Sequence, residues 1–499
     1  MSVKRVIGIE NEYGISQPAN PTANPMALST LVVDSYANYV YPHKKIRWDY
    51  DLEDPLRDAR GFDLSRPEAD PSLITDEMTV SNVILTNGAR FYVDHAHPEY
   101  ATPEVNSPRE ALVWDRAGEL IITKAAELAS QSTQEIYIHK NNTDNKGVSY
   151  GTHENYLVSR ETPFNKIISV LTTFFVTRQI FTGAGRLGVG VNEIDFEYQI
   201  SQRADFFETL VGLETTMRRP IINTRDEPHA DPNLYRRLHV IIGDANMSDV
   251  ANLLKIGTTS LVLKLLEDSD LDDFELELDA PLEALKMVSQ DLELKKKLKL
   301  KNGKYLTAIE IQYVFLERVQ HHLEKNDEID LDTQETLNWW QEILDLLRED
   351  IFLTVNYLDW VAKLNLIQNI KSRDNLKWSD SVLQMLDLQY ADLNPNRSLA
   401  RLLERKGSLK RLVGDAEIIA AVKFPPNSTR AWFRGQSLLR FSNQIAGASW
   451  DSVIFDISAD RPLLRIPTLD PLKGNQEQLG DIFESAKSAA DLVMRLSHS

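Results

Sequence analysis

Several short segments of this sequence alternate, residue by residue, between apolar side chains and polar side chains that can bind metal ions or phosphate. In the segment 236–242, Leu238 and Val240 share one face of an extended chain, whereas Arg237 and His239 share the other. Strands of this kind are typical of an antiparallel sheet that packs on one side only. Together, the segments predict an antiparallel sheet whose convex apolar face is covered by helices and whose concave polar face is a metal–triphosphate site.

The first of these segments ends in two carboxylates. Glu10 and Glu12 follow an apolar run and, being two residues apart, point to the same side of a strand. Hard cations such as Mg²⁺ prefer oxygen ligands, and two carboxylates are a usual protein contribution to one ion. Acidic residues at strand ends are more often solvated than metal-bound, so the pair indicates a metal site only in combination with other segments.

The segment 87–100 carries the densest set of such groups. Strand alternation places Arg90, Tyr92 and Asp94 on one face. A polar face of this kind inside a sheet is costly unless it lines a site. The alternative, a buried salt bridge between Arg90 and Asp94 with the two histidines in a turn, does not explain why so many metal-competent groups converge.

Two further segments complete the predicted site. His153 and Asn155 share one face of an extended segment and are candidate ligands of an ion or a nucleotide. Arg203, Arg225 and Arg237 could hold the β- and γ-phosphates in forked geometry, although each alone is more typical of a surface charge. The sequence has no Walker loop, so metal ions and arginines would have to hold the nucleotide.

The composition excludes several classes of protein. The chain has no cysteine, which rules out disulfides, thiolate metal sites and cysteine nucleophiles. The net charge of −19 argues against nucleic-acid binding, which needs a basic surface. The N-terminal run is too short for a signal peptide, and we find no apolar stretch long enough to span a bilayer. We therefore expect a cytoplasmic protein that engages neither nucleic acid nor membrane.

Changes in composition along the chain predict two domains. We place a large α+β domain at residues 1–425 and a small domain at 426–499, divided at a cluster of helix and strand breakers. The stretch at about 37–79 is rich in Arg, Asp and Pro and has weak periodicity, and so long a stretch is more often functional or mobile than structural. From 282 to about 383 the pattern is almost wholly helical.

Longer motifs narrow the choice of family. The chain resembles the Pup ligase/depupylase family at residues 8–14, 87–100, 141–144, 149–156, 224–246, 429–435 and 449–455. The resemblance runs from end to end. It implies a large domain like that of glutamine synthetase and the carboxylate–amine ligases, with a curved antiparallel sheet backed by helices, and a small C-terminal domain that contributes to the nucleotide site.

The family has two branches, and the inserted stretch favours one of them. One branch ligates the C-terminal glutamate of Pup, a small protein modifier, to substrate lysines. The other deamidates the terminal glutamine of Pup and cleaves Pup from modified proteins. Residues 47–50 and 55–66 resemble the loop that marks the depupylase branch, and 21–25 agrees with it. The resemblance thus implies an amidohydrolase that uses ATP (or ADP plus phosphate) and Mg²⁺, with Pup and pupylated proteins as partners and a link to the bacterial proteasome.

The resemblance also implies a role for individual residues. Asp94 would be the catalytic carboxylate. The magnesium ligands would be Glu10, Tyr92, Glu99, His153 and His239, with Glu12 a weaker candidate. The nucleotide contacts would be Arg90, Thr102, Asn155, Arg237 and Trp450, with Arg203 and Arg225 on the phosphates and Trp450 beside the adenine.

Two mechanisms stay open for such a site. Asp94 could attack the side-chain amide or isopeptide carbonyl of Pup's last residue, giving an anhydride that water then opens. Alternatively, Asp94 could act as a base while phosphate from one initial ATP cleavage stays bound and takes part. In both, Mg²⁺ and arginines would stabilise the developing oxyanion, and the nucleotide would be a cofactor rather than a stoichiometric fuel.

Three other functions compete with this hypothesis. A Pup ligase would require the inserted stretch to be incidental. A small-molecule carboxylate–amine ligase should consume ATP stoichiometrically and have no need of Pup. A non-catalytic Pup-binding adaptor would have no need of Asp94 or of the metal-binding set.

Overall fold

The structure, a computed structural model, describes most of the chain. The described residues are 2–44, 46–50, 53, 55–63, 81–144, 147–189, 195–268, 271, 274–324, 329–457 and 462–497. Much of the predicted inserted stretch, including 64–79, lies outside these residues. The helix that precedes it continues to Val40, so the stretch without helical pattern begins later than the predicted residue 37.

Strands and helices alternate irregularly along the described residues. The strands are β1 (Ile7–Glu12), β2 (Gly14–Ser16), β3 (Arg47–Trp48), β4 (Arg57–Asp58), β5 (Phe62–Asp63), β6 (Asn82–Ile84), β7 (Arg90–Asp94), β8 (His97–Ala101), β9 (Tyr137–His139), β10 (Thr152–Ser159), β11 (Arg186–Val189), β12 (Asp195–Gln199), β13 (Phe207–Gly212), β14 (Arg219–Asn223), β15 (Tyr235–Val240), β16 (Lys297–Lys299), β17 (Tyr305–Thr307), β18 (Ile445–Ala448), β19 (Ser452–Phe455) and β20 (Leu464–Pro467). The helices are α1 (Pro25–Val40), α2 (Pro108–Ala129), α3 (Phe164–Thr182), α4 (Asp249–Glu267), α5 (Pro281–Ser289), α6 (Ala308–Glu324), α7 (Leu331–Glu349), α8 (Asp359–Arg373), α9 (Ser381–Tyr390), α10 (Leu399–Arg405), α11 (Asp415–Lys423), α12 (Ala431–Phe441), α13 (Gln476–Ser485) and α14 (Ala489–Leu496).

The main sheet has six strands in the order β15-β10-β1-β8-β7-β6. Every neighbouring pair in it is antiparallel. Its register sets Glu10 opposite His153 on β10, and Glu12 opposite Glu99 on β8. The predicted α+β fold with an antiparallel sheet is confirmed, and the order of strands brings the polar residues of separate segments side by side.

One face of this sheet is apolar and covered by helices, as the alternation predicted. Ile7, Ile9 and Tyr156 are buried in a cluster that also contains residues of α3 and α4. On β15, Leu238 and Val240 belong to the same cluster. Burying these side chains is the main favourable contribution to folding, because apolar surface is removed from water. The opposite face is left to the polar residues.

A buried polar network behind β1 fixes the position of that strand. Asn11, which lies between the two site carboxylates, donates from Nδ2 to Asp115 Oδ1 on α2 at 2.6 Å. Lys140 donates to the other oxygen of Asp115, also at 2.6 Å, and to Glu119 at 2.9 Å. Buried charges are tolerated only when they are paired and hydrogen-bonded, as these are. The network therefore anchors the segment that presents Glu10 and Glu12.

The C-terminal region forms a second sheet with a contribution from the inserted stretch. Its strand order is β20-β19-β18-β3, and β3 lies parallel to β18. On the other side, Ala59 N donates to Thr224 O at 2.8 Å and Asp226 N donates to Arg57 O at 3.0 Å. The described part of the inserted stretch thus contacts both the C-terminal sheet and the segment that carries Arg225. The domain boundary at 425 stays a prediction.

Two further observations concern the helices. Between 282 and 383 the described residues form mostly the helices α5 to α9, but they also form the hairpin β16–β17, so the prediction of an almost wholly helical pattern was wrong for residues 297–307. Among the described residues, no helix combines the length and the hydropathy that crossing a bilayer requires.

Candidate active site

Two clusters of possible metal ligands lie next to each other on the polar face of the main sheet. The first, the Glu10 cluster, consists of Glu10, His153 and His239, whose ligand atoms all lie within 4.8 Å of one another. These residues come from the neighbouring strands β1, β10 and β15. His153 Nδ1 lies 3.3 Å from Glu10 Oε2, and the two imidazole rings are 5.0 Å apart. The cluster is a direct consequence of strand order and register.

The second, the Glu12 cluster, consists of Glu12, Asp94 and Glu99, again within 4.8 Å of one another. It includes the predicted catalytic residue and two carboxylates predicted as metal ligands. Tyr92 reaches it indirectly, because its hydroxyl donates to Glu99 Oε1 at 2.7 Å. Because Glu10 and Glu12 are two residues apart on β1, the clusters are spaced by roughly 7 Å along the strand.

Electrostatics make the Glu12 cluster a strong candidate for cation binding. Burial and the charges of Asp94 and Glu10 raise the pKa of Glu99 well above its ordinary value. Burial works against the charged form of Asp94, but the hydrogen bond with His95 and the positive charges of His95, His153 and Arg225 together outweigh it and keep the pKa of Asp94 below its ordinary value. Three close carboxylates repel one another, and a divalent cation among them would relieve that repulsion.

The donor sets fit divalent cations. The Glu12 cluster offers carboxylate oxygens only, which is the ligand type that Mg²⁺ prefers. The Glu10 cluster is a mixed set of one carboxylate and two imidazoles, which can bind a divalent cation whose other positions are filled by water or phosphate oxygens. Burial and the positive charge of Arg237 lower the pKa of His239 well below its ordinary value, so its ring is neutral near pH 7 and competent as a ligand.

A pocket adjoins the Glu10 cluster and contains four of the predicted nucleotide contacts: Thr102, Asn155, Arg237 and Trp450. The floor of this pocket is Val6 and the first part of β1, from Ile7 to Glu10, where Gly8 leaves room above the sheet. Trp450 comes from the C-terminal region, so a planar base in the pocket would touch both regions of the chain. Sequence reasoning missed Glu104, His229 and Arg430, which also line it.

Hydrogen bonds join the pocket to the Glu10 cluster. Asn155 Nδ2 donates to Glu10 Oε1 at 2.9 Å, and Asn155 Oδ1 lies 2.9 Å from both Arg237 Nη1 and His239 Nδ1. Arg237 Nη2 also donates to a carboxylate, Glu227 Oε2, at 3.2 Å. Arg237 therefore lies between the pocket and the cluster, where phosphates of a bound nucleotide would be.

Arg225 lies close to Arg237 although it comes from a loop. Its Nε donates to Glu227 Oε2 at 2.6 Å, so the two arginines share one carboxylate. Burial opposes the charge on Glu227, but the arginines outweigh it and lower the pKa of Glu227 to about 2. The arrangement leaves a surplus of positive charge beside the Glu10 cluster, as a phosphate-binding role for these arginines requires.

Arg90 contacts aromatic rings and a carboxylate other than Asp94, since its Nη1 lies 3.7 Å from Glu53 Oε1. Its guanidinium lies 4.2 Å from the ring centre of Trp48 and 4.0 Å from that of Tyr92. Trp48 belongs to β3 of the inserted stretch and meets Trp450 edge to face at 5.2 Å. The structure therefore has no Arg90–Asp94 salt bridge among its described residues, and the inserted stretch reaches the wall of the pocket that contains Trp450.

Arg203 lies away from that pocket. Its Nη1 donates to the carbonyl oxygen of Ile241, and its Nε donates to Ser149 Oγ at 3.3 Å. It does not line the pocket that contains Trp450, and Ser149, which it contacts, lies two residues before Gly151, where a Cβ would be 2.5 Å from Glu12 Oε1. Its expected contact with the nucleotide phosphates stays a prediction.

The residues that sequence reasoning missed form one ionic group. Glu104 accepts from Arg430 Nε at 2.7 Å and also pairs with Arg434. Arg430 Nη1 donates to the carbonyl oxygen of His229, and Arg434 Nη1 donates to that of Trp450 at 2.8 Å. The motif 429–435 that contains both arginines was noticed, but nothing local in the sequence identifies a carboxylate more than 300 residues away as their partner.

These features coincide with a known protein family. The family described as Pup-ligase protein matches residues 5–454. The chain belongs to this family. It is 52% identical, over 99% of both chains, to the depupylase of Acidothermus cellulolyticus. It is 48% identical to the Pup deamidase/depupylase of Mycolicibacterium smegmatis, over 99% of this chain and 100% of that one.

Ligases of the family are more distant in sequence but share the fold. A Pup–protein ligase of Acidimicrobium ferrooxidans is 39% identical over 87% of this chain and 88% of its own. The crystal structure of the complex between Pup and its ligase PafA matches with a TM-score of 0.80 at 31% identity, covering 97% of this chain and 92% of that one. A Pup ligase PafA in complex with ADP matches with a TM-score of 0.74 at 34% identity, covering 85% and 95%.

Proposed function

We propose that this chain is a nucleotide- and magnesium-dependent hydrolase that deamidates the C-terminal glutamine of Pup and cleaves the isopeptide bond between Pup and a substrate lysine. The observation that carries the proposal is the Glu12 cluster, in which a charged Asp94 lies among possible metal ligands beside a nucleotide pocket. The preference for hydrolysis over ligation is supported by identity, which is 47–52% to relatives named depupylases and 33–39% to relatives named ligases.

Asp94 is the residue that acts on the amide. It lies at the end of β7, opposite His97 on β8, and its side chain is 27% exposed. Its low pKa keeps it charged near pH 7, as required of either a nucleophile or a base. In either case the C–N bond of the side-chain amide breaks, water supplies the new oxygen, and ammonia or the lysine amine leaves. The two mechanisms stay open.

The metal clusters and the arginines prepare the site for that step. Glu10, Glu99, His153 and His239, with Tyr92 through its bond to Glu99, would hold the divalent cations. Mg²⁺ bound there would supply positive charge for the phosphates and for the amide oxygen as it becomes negative. The protein's own part is to hold Asp94 and the ligands in fixed positions, because preorganised groups need no reorganisation during the reaction.

The nucleotide lies in the pocket above β1 in this proposal. Thr102, Asn155 and Arg237 line it, and Trp450 closes it from the C-terminal region. Arg225 adds a second cation toward the phosphates, and Arg90 supports the wall through Trp48. We further infer that the reaction takes place in the cytoplasm and serves proteins marked for the bacterial proteasome, as the family resemblance implies.

Replacement of Asp94 tests the proposal. With Pup ending in glutamine, Mg²⁺ and ATP, mass spectrometry follows the mass increase that accompanies exchange of the amide nitrogen for oxygen. We expect Asp94→Asn to lower kcat by about 10²- to 10⁴-fold, the range for loss of a general base, with nucleotide affinity little changed. Asp144→Asn, an exposed aspartate on a nearby loop, is the matched control. Full activity of Asp94→Asn would contradict the proposal.

A further inference from the structure

Arg203 differs from the other deeply buried arginines of the described residues in having no carboxylate partner. Five arginines there are exposed by 2% or less. Four of them pair with acids, namely Arg178 with Glu154, Arg186 with Asp205, and Arg430 and Arg434 with Glu104. The guanidinium of Arg203 instead meets Ser149 Oγ and backbone carbonyl oxygens. Buried charges are normally paired, so an unpaired one requires an explanation.

A second arginine without an acid partner lies beside it. Arg219 donates from Nη2 to Ser149 O at 2.5 Å and from Nε to Thr215 O at 2.9 Å. Within the described residues, no carboxylate oxygen lies within salt-bridge distance of Arg203 or Arg219. Burial and the neighbouring charge of Arg219 lower the pKa of Arg203 to about 9, so the pair repels itself but stays charged near pH 7. Two such cations side by side are an anion-binding arrangement.

The pair lies at the substrate end of the site rather than at the nucleotide end. Ser149, which both arginines contact, is two residues from Gly151, where a Cβ would lie 2.5 Å from Glu12 Oε1. Along β1, Gly8 is under the nucleotide pocket and Glu12 is four residues farther, roughly 13 Å away. The arginines therefore lie beyond the Glu12 cluster, on the side of Asp94 that the nucleotide pocket does not occupy.

We propose that Arg203 and Arg219 form a subsite for the free α-carboxylate of the residue whose side-chain amide is hydrolysed. Guanidinium groups bind carboxylates through charge-assisted hydrogen bonds, and no described residue accepts a bond from Arg203 Nη2 or Arg219 Nη1. The inference rests on the proposed function. A C-terminal glutamine carries its α-carboxylate a short aliphatic chain away from its amide, so anchoring one end would place the other at Asp94.

The subsite accounts for selectivity toward a chain terminus. An internal glutamine has a peptide bond where a C-terminal glutamine has a carboxylate, and it would leave both cations unpaired. The same carboxylate is free in a Pup–lysine conjugate, because the isopeptide bond uses the side chain. One anion subsite therefore serves both reactions. Phosphate is the other oxyanion that could bind there, as the sequence suggested for Arg203.

The proposal is tested by measuring the effect of one change in the substrate on wild type and on a variant of the protein. Wild type and Arg219→Gln are compared on Pup ending in glutamine and on the same Pup with an α-carboxamide terminus. We expect amidation to raise the KM of wild type by about 10- to 100-fold, as for loss of a charge-assisted hydrogen bond, and to change the KM of Arg219→Gln little. For Arg219→Lys, which keeps the charge, the effect of amidation on the KM should be intermediate between the effects in wild type and in Arg219→Gln. Arg218→Gln, an exposed neighbour, should behave as wild type.

The outcomes separate the sources of the anion and separate this inference from the proposed function. Equal use of both substrates by wild type, or equal losses from amidation in wild type and Arg219→Gln, would overturn the subsite. A third outcome is that Arg219→Gln discriminates between the two substrates as wild type does but binds ADP plus phosphate more weakly, as measured by calorimetry. That outcome would assign the two arginines to phosphate and would also overturn the carboxylate subsite. Absence of deamidation by wild type would overturn the proposed function and this inference together. If Arg219→Gln does not fold, the same test is made by comparing the two substrates on wild type and on Arg219→Lys.

Discussion

The side chains of the Glu12 cluster are arranged in a way that destabilises the folded protein. Glu12, Asp94 and Glu99 bring three carboxylates within 4.8 Å, and Glu99 is 1% exposed. A close set of like charges in a buried place is unfavourable unless a ligand compensates for it. Folding alone does not explain this cluster, whereas binding of a cation would. We therefore expect the stability of the protein to depend on divalent cations.

Glu99→Gln should therefore change the response of the protein to Mg²⁺. Without Mg²⁺, we expect the variant to melt at or above the temperature of wild type, because one repelling charge is gone while Tyr92 keeps its acceptor. At roughly 100 times the Kd, a bound ion stabilises the folded state by about 2.7 kcal/mol, and the variant should lose most of that gain. Thermal unfolding with EDTA and with Mg²⁺ measures both effects. Equal gains in the two proteins would contradict a metal site at Glu99.

His139 allows a test of how stability depends on pH at a residue that belongs to neither the Glu10 cluster nor the Glu12 cluster. Burial lowers the pKa of His139 from 6.5 to about 4, so the folded protein holds a neutral ring that the unfolded chain protonates below pH 6.5. The contribution of this residue to stability is complete above pH 6.5 and is lost as the pH falls toward 4, at about 1.4 kcal/mol per pH unit.

His139→Gln should remove that part of the pH dependence. Between pH 6.5 and 4, we expect wild type to lose about 3 kcal/mol relative to the variant. Urea unfolding at several pH values measures the difference, and His321→Gln, an exposed histidine, is the control. A constant difference between wild type and His139→Gln across this range would show that the ring is not kept neutral.

At the scale of elements, the ionic group around Glu104 joins α12 to the main sheet. Arg434 on α12 pairs with Glu104. It also donates hydrogen bonds to the carbonyl oxygen of Gly88 and to the carbonyl oxygen of Trp450, each at 2.8 Å. Glu104 follows β8, so the group connects the strand that carries Glu99 to Trp450, which lines the proposed nucleotide pocket. Positioning of Trp450 should depend on it.

Glu104→Gln should weaken nucleotide binding and stability together. Breaking a buried ion pair by removing one partner typically costs about 3 to 5 kcal/mol, and two arginines lose charge partners here. We expect a raised Kd for ADP and a lower melting temperature, with kcat at saturating nucleotide changed less than the Kd. Glu127→Gln removes an exposed pair with Lys124 and should cost about 1 kcal/mol or less. An unchanged ADP affinity in Glu104→Gln would separate this group from the nucleotide pocket.

Local patterns in the sequence predicted some elements well. Ser107, Pro108 and Glu110 form a pattern typical of a helix start, and α2 begins there with Ser107 Oγ accepting from Glu110 N at 3.2 Å. Strand alternation likewise assigned residues correctly to the two faces of the main sheet. These successes have one cause, since capping and alternation depend only on neighbours in the sequence.

Long-range arrangements could not be predicted in the same way. Alternation assigns a face but not a neighbouring strand, so the grouping of Glu12 with Asp94 followed only from the register of β1, β7 and β8. The two-residue strand β3 has no periodicity to read. The hairpin β16–β17 was missed although Asn302-Gly303 is a turn dipeptide, with Gly303 at φ +84°, because a lysine-rich helical pattern surrounds it.

At the scale of the whole molecule, one strand organises the site. Gly8, Glu10 and Glu12 of β1 follow one another from the proposed nucleotide pocket through the Glu10 cluster to the Glu12 cluster. The fold is shared with Pup ligases, and a shared fold does not decide between hydrolysis and ligation. The difference between the two reactions is the fate of the nucleotide, which a hydrolase needs as a bound cofactor and a ligase consumes.

The number of amide bonds hydrolysed per ATP cleaved tests the central claim most directly. Pup ending in glutamine is incubated with the chain, Mg²⁺ and nucleotide at a lower concentration than Pup, and both deamidated Pup and ADP are counted. We expect many deamidations for each ATP cleaved, and activity with ADP plus phosphate in place of ATP. One ATP consumed per event, together with attachment of glutamate-ending Pup to a lysine substrate, would contradict the proposal and identify a ligase.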